Sequence, residues 1–370
     1  MAMCSLKRTR IDFECRRPAK RTALCRNLLA TLPDDLTGLM VSFLAARDAA
    51  RTRGCNRSLS ARDDLTYTCQ ARQIRTVTQW TSFCTSHAPA AVKLVSGLVR
   101  RLDTDTAMPI RWPHALRSIY MAHFNQLLGV GVLPDGLTSL ILGADFNQPL
   151  GVGVLPASLT SLVLGKQFNQ PLGVGVLPDS LTSLELGIQF NQPLAVGVLP
   201  VGLKSLDLGF QFNQPLGPGV LPVGLATLHV SFHFDQALGV GVLPVNLTSL
   251  IFGHEFNQPL DVGVLPAGLS FIIFGAYFDQ PLGVGVLPVG LESLCLGDHF
   301  DQPLATGVLP DRLTSLRFGE HFNQPIGVGV LPDTLTRLDF GDEFEQPLPA
   351  GVLPASLKSL DLGYRSINIH

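Results

Sequence analysis

Hydrophobic and polar positions recur along this chain with a fixed period. Phenylalanine stands at 124, 146, 168, 190, 212, 234, 256, 278, 300, 322 and 344, a spacing of 22 residues held over eleven copies. Within a copy, Leu181, Leu184 and Leu186 leave polar residues between them, and the last three positions alternate as Leu184-Glu185-Leu186. Alternation of period two marks a strand. Gly187 after it, and the Pro-Leu-Gly-Val-Gly run from Pro171 to Gly175, turn the chain.

A unit of 22 residues leaves no room for a useful helix beside a strand and its turns. Each copy therefore predicts one short strand and a compact return path. Successive strands would pair in parallel at about 4.8 Å, giving a right-handed stack on the order of 50 Å long. The valine and leucine of GVLP, the strand leucines and the phenylalanine would point inward, each worth roughly 1.5–3 kcal/mol when buried. One copy cannot bury them alone, which is why the copies must be many.

The polar constants have a structural explanation. Glutamine follows each phenylalanine by two residues, and asparagine follows it directly in seven copies. Aspartate takes that place at 235, 279 and 301, and glutamate at 345. Asparagine and aspartate share a short acceptor oxygen, so a ladder bonding neighbouring backbone N–H groups is expected, with the glutamine amides bonded from coil to coil. Asp235 and Ala237 replace the usual Asn and Pro, and Ser231 replaces the strand-ending glycine. That predicts a locally irregular coil from Leu225 to Ala237.

The unit Phe-Asn-Gln-Pro followed by GVLP and LTSLxLG resembles the FNIP repeat, a relative of the leucine-rich repeat, over about two-thirds of the chain. The resemblance implies a leucine-rich-repeat-like β-solenoid of about eleven coils over residues 116–363, with a tail at 364–370.

The head differs in pattern. Residues 1–27 are expected to be a disordered basic tail; Arg16-Arg17-Pro18-Ala19-Lys20-Arg21 inside it resembles a nuclear-localisation cluster, and a solvated tail is the reading preferred. Over 28–64, Leu36, Leu39, Met40, Phe43 and Leu44 fall at helical spacing, after Pro33, Asp34 and Asp35 at the helix start. This segment resembles an F-box, on Leu32-Pro33, Leu36, Met40-Val41, Ser42-Phe43-Leu44, Arg47-Asp48, Cys55 and Arg57. The resemblance implies docking on a Skp-type adaptor through Leu32, Pro33, Leu36, Met40, Phe43 and Leu44. A plain helical cap over the first coil is the other reading. Val92, Val95, Leu98, Val99 and Leu102 fit a helix after Pro89, so 65–115 is expected to be a helical linker or N-terminal cap.

Charge sharpens this division. Residues 1–122 hold 20 Lys+Arg against 9 Asp+Glu, and residues 123–370 hold 7 against 20, balances of +11 and −13. Two parts with different partners are implied. The seven cysteines are odd in number and form no CxxC, which fits reduced thiols in the cytoplasm or nucleus. The uncharged stretch from Phe146 to Gly165 contains Pro149 and Pro156, so no membrane helix is expected.

No nucleotide loop, catalytic triad signature or metal spacing is present, and neither an enzyme nor a cofactor is expected. His299, His321 and Glu343 share one repeat position and are read as a solvated column rather than a metal site. The basic head lacks a recognisable fold for reading nucleic acid. More informative is the residue that should point outward from each strand. Glu185, Asp207, His229, Ile251, Ile273, Cys295, Arg317, Asp339 and Asp361 would stand side by side, an apolar middle between acidic ends. Such a face suits a protein partner with basic flanks, although β-branched residues favouring strands and acids maintaining solubility give a second explanation. The expectation is a substrate-recognition subunit of a cullin-type (SCF) ubiquitin ligase, with the solenoid holding an unknown target protein. The alternative is an interaction scaffold with no ubiquitin link.

Overall fold

The computed structural model describes residues 66–69, 91–94, 116–121 and 124–363. The expected basic tail at 1–27, the F-box-like module at 28–64 and the tail at 364–370 lie outside the described residues.

Fourteen strands form one sheet whose spatial order is the chain order. Four have four residues: β1 (Thr66–Cys69), β2 (Ala91–Leu94), β3 (Ser118–Met121) and β4 (Ser139–Leu142). The others have three: β5 (Ser161–Val163), β6 (Ser183–Glu185), β7 (Ser205–Asp207), β8 (Thr227–His229), β9 (Ser249–Ile251), β10 (Phe271–Ile273), β11 (Ser293–Cys295), β12 (Ser315–Arg317), β13 (Arg337–Asp339) and β14 (Ser359–Asp361). Pairing is parallel, and from β4 onward each residue faces its equivalent 22 positions away, as in Ser183↔Ser205, Leu184↔Leu206 and Glu185↔Asp207. The middle residue of every strand from β5 to β13 faces the core, and in six of these nine strands both its neighbours are half-buried, the pattern that alternation implies. The chain thus forms a parallel, leucine-rich-repeat-like solenoid of about eleven 22-residue coils, preceded by further strands of the same sheet.

One expectation is corrected at the N-terminal side. Ala91–Leu94 is a strand paired with β3, from Ala91↔Ser118 to Leu94↔Met121, and not the start of a helix after Pro89. It pairs in turn with Thr66–Cys69. The sheet therefore begins ahead of Leu116, inside the segment expected to be helical linker. The open edge of a parallel sheet offers unpaired backbone groups to the preceding chain, and that pairing overrides a weak helical periodicity.

Three turns close each coil. In the coil after Phe168 they are fixed by Val176 N–H to Gly173 O (3.3 Å), Leu181 N–H to Pro178 O (3.0 Å) and Phe190 N–H to Gly187 O (3.1 Å). In the first, Gly175 takes φ +80°, giving positive φ at the third residue of a hydrogen-bonded turn, as type II turns require. The second residue, Val174, is left on the apex.

The interior is a column of phenylalanines. From Phe124 to Phe344 consecutive rings lie 6.0–6.3 Å apart and within 14° of parallel, an offset stack. Those from Phe146 onward are 0% exposed. The polar ladder has the expected form. Asn169 Oδ1 accepts from Asn191 N–H at 2.9 Å and from Gln192 Nε2 at 3.1 Å, so asparagine and glutamine act as one device between coils. Asp235 Oδ1 does the same for Asn257 and Gln258, which is why aspartate substitutes freely.

The coil expected to be irregular keeps its strand and its ladder, and the distortion falls one coil earlier. A Cβ on most strand-ending glycines, such as Gly187, would run into the carbonyl of the glycine before it. Ser231 carries such a Cβ, and Gly209 before it adopts φ +77°, unlike Gly187. Only glycine takes that conformation without cost. The Ser231 hydroxyl then donates to Phe210 O at 2.6 Å.

Candidate binding faces of the solenoid

The outward strand positions form the first candidate site. Parallel register places Glu185, Asp207, His229, Ile251, Ile273, Cys295, Arg317, Asp339 and Asp361 in one unbroken row. All are half-buried except Asp361, which is exposed in the last coil. The row is crowded because each side chain has like-placed neighbours on both sides.

Crowding governs its electrostatics. Burial first, then the Asp207 carboxylate, pushes Glu185 up to about 7, with His229 opposing. Asp207 Oδ2 lies 3.5 Å from His229 Nδ1, and its Oδ1 accepts from Gly209 N–H at 2.8 Å. At the other end, burial pushes Asp339 up to about 6 against the pull of Arg317, whose Nε is 3.3 Å away. Burial likewise raises the Cys295 thiol to about 11, so it stays protonated between Ile273 and Arg317. The row is therefore an apolar centre between two partly charged ends.

Asp207 and His229 approach an acid–base pair, and Ser249 is buried on the adjoining strand. However, His229 Nε2 and Ser249 Oγ each lack a hydrogen-bond partner, so the imidazole holds no hydroxyl for attack. A protonated thiol is not a nucleophile.

A second face lies on the turn that follows the strands, and the sequence reading missed most of it. Phe210 and Phe232 stack at 4.4 Å, Phe232 and His254 at 4.5 Å, and His254 meets Tyr277 edge-on at 4.6 Å. His299 and His321 continue the run at 4.9 Å steps. The signal was available in the variable two letters before each phenylalanine. It was hidden because rings at both of those positions contribute to one ridge. Acids line it: His233 Nδ1 lies 2.8 Å from Glu255, and His321 Nδ1 lies 3.0 Å from Glu343. That bond raises the affinity of His321 for its proton, whereas burial lowers that of His254. His299, His321 and Glu343 are consecutive on the ridge, but among the described residues no group of three such side chains is placed to hold a metal ion. No helix among the described residues is long and apolar enough to cross a membrane. The proposed adaptor contacts Leu32, Pro33, Leu36, Met40, Phe43 and Leu44 lie outside the described residues.

Stacked parallel strands with compact returns and a leucine interior define a leucine-rich-repeat-like solenoid. The chain belongs to the FNIP Repeat family, which matches residues 124–167, 146–189, 190–232, 234–277, 278–321 and 322–365. It is similar to CroV588, whose crystal structure is described as a novel circular LRR protein, with 42% identity and a TM-score of 0.70 over 74% of this chain. The chain spans 40% of the length of that protein. An internalin (inlF) from Listeria monocytogenes matches at 16% identity over 62% of this chain and 82% of its own, with a TM-score of 0.34. YopM from Yersinia pestis, described as a leucine-rich effector protein, matches at 19% identity over 68% and 84%, with a TM-score of 0.35. No curated protein matches the chain.

Proposed function

We propose that this chain is a protein-interaction scaffold whose strand face takes a target protein. The observation that carries the proposal is the unbroken row from Glu185 to Asp361, in which the register groups Ile251, Ile273 and Cys295 between charged ends. Repeat duplication alone accounts for the identical columns and not for this grouping of unlike residues. A desolvated apolar centre with a polar rim is the anatomy of a protein interface, and acids at both ends favour a partner with basic flanks. The chain supplies recognition, and no chemistry of its own.

Quantitative pull-down with the full-length protein and its Ile251→Lys/Ile273→Lys variant tests this. Proteins retained by the first and lost by the second, at unchanged circular dichroism, are the expected result. An identical set of captured proteins overturns it.

A second reading rests on the F-box resemblance of residues 28–64: the scaffold would deliver its target to a cullin-type ubiquitin ligase. Full-length protein should then co-elute with a Skp-type adaptor and lose it in the Leu36→Asp/Phe43→Asp variant. Absence of any complex removes the ligase role and leaves the scaffold intact.

A further inference from the structure

The first turn of each coil carries a feature that the strand face does not explain. Val152, Val174, Val196, Val240, Val262 and Val284 occupy its apex and are 63–66% exposed, with Val130 and Val328 continuing the column at either end. They form one stripe, because in seven of the eight cases the glycine of the following coil closes against the valine before it. A Cβ on Gly175 would sit 3.9 Å from Val152, and one on Gly197 3.8 Å from Val174. The flanking residues are glycine, alanine or proline in every coil but one, where Asp261 intervenes.

The turn itself does not demand valine. Its positive-φ glycine sets the geometry, and proline, threonine and alanine fill the apex at 218, 306 and 350. Proline is the residue such a turn favours there. Retaining a β-branched apolar side chain in eight coils of eleven, in water, exceeds the scatter of single exposed hydrophobics normal for a surface.

We infer that this valine stripe is the interface of a side-by-side homodimer, two copies lying antiparallel about a two-fold axis. Eight valines at this exposure present on the order of 800 Å², the area that one partner of a standard-size interface buries. A stripe that is valine in eight of its eleven places is close to self-complementary under a two-fold, as an isologous contact requires. Glycines on either side let the two backbones approach closely. Charge points to the same face: the body from 123 to 370 has a balance of −13, so a second copy is repelled by most of its surface and least by an uncharged strip. At the second turn, Val201, Val223, Val245 and Val289 are exposed as well, while Asp179 and Asp311 hold the same place in other coils. Association therefore strengthens as salt rises.

Sedimentation equilibrium of the full-length protein under reducing conditions tests the inference. The expected result is a monomer–dimer equilibrium in the range of about 1–10 μM or tighter. Val174→Asp/Val240→Asp/Val262→Asp should weaken it by about a hundredfold or more with unchanged circular dichroism. Should that variant fail to fold, Val→Thr at the same three positions, a residue the apex already accepts at Thr306, should weaken it by about tenfold. Ile251→Lys/Ile273→Lys should leave the dimer intact, which separates this face from the one proposed for the target. A protein that is monomeric at about 100 μM, a dimer that survives the valine substitutions, or assembly into open-ended oligomers overturns the inference.

Discussion

Two columns of this solenoid are written with nearly equal regularity and end in opposite environments. Phe190 and its equivalents are 0% exposed from Phe146 onward and stack ring on ring. Val196, six residues later in the same coil, is 63% exposed. The difference is one of backbone. The phenylalanine closes a turn whose N–H bonds back to the strand-ending residue, which swings its side chain inward. The valine occupies the second position of a turn that points away from the core. Regular repetition therefore marks what a coil inherits, and only burial marks what the stack requires.

The sharpest way to break the comparison is a pair of truncations in one coil. Phe190→Ala should cost about 4 kcal/mol in urea unfolding, since it opens a cavity in a column with no freedom to collapse. Val196→Ala should change monomer stability by less than about 0.5 kcal/mol, measured where the protein is monomeric. Comparable losses at both sites would mean that the valine column also holds the coils together.

Next in size is a test of the glycines. Gly253→Ala places a Cβ against the Ser231 carbonyl and should cost about 3 kcal/mol, because two backbones must separate. Gly263→Ala meets only a distant Val240 methyl but sits at φ +86°, so its cost should be about 1 kcal/mol. Thermal unfolding of the two variants ranks them directly. A reversed order would show that conformation, and not close approach, sets the spacing of the coils.

The smallest of the three concerns the strand face. Glu185 is raised from 4.5 to about 7, so the folded protein holds its proton more tightly than the unfolded chain. Stability from this group is present below about pH 4.5 and is lost as pH climbs to about 7. Glu185→Gln should accordingly unfold with wild-type stability at pH 4 and gain about 2 kcal/mol at pH 8. Equal stability at both values would mean that the row is open to water. A bound target presenting a lysine or arginine to Glu185 would draw the proton off, so binding near pH 7 should release protons in calorimetry run in buffers of different ionisation enthalpy.

Much of this was legible in the letters. The 22-residue period, the alternation around Leu184 and the repeated GVLP dictate short parallel strands with a shared interior, since no single copy can cover its own apolar residues. The ladder through Asn169 and Asp235 followed from their common acceptor oxygen. The row from Glu185 to Asp361 followed from period-two alternation combined with parallel register. Val92 misled because five residues at helical spacing are a local signal, and an open sheet edge is a stronger, non-local one. The irregular coil was placed one unit too late because the strain of Ser231 is relieved by its neighbour Gly209, a relation that exists only between stacked coils.

The sequence by itself determined the unit, the number of 22-residue coils and their register from β4 onward, because a strict period leaves those coils only one way to align their strands. It placed the GVLP, strand and phenylalanine side chains inside, and left open where the repeated valine of the Pro-Leu-Gly-Val-Gly run ends. That depends on the turn it occupies, and turn direction is settled when three turns close a coil against its neighbours. Tertiary structure alone decided that the valine column faces water, that Phe210, His254 and Tyr277 join in one ridge, and that burial beside the Asp207 carboxylate raises Glu185.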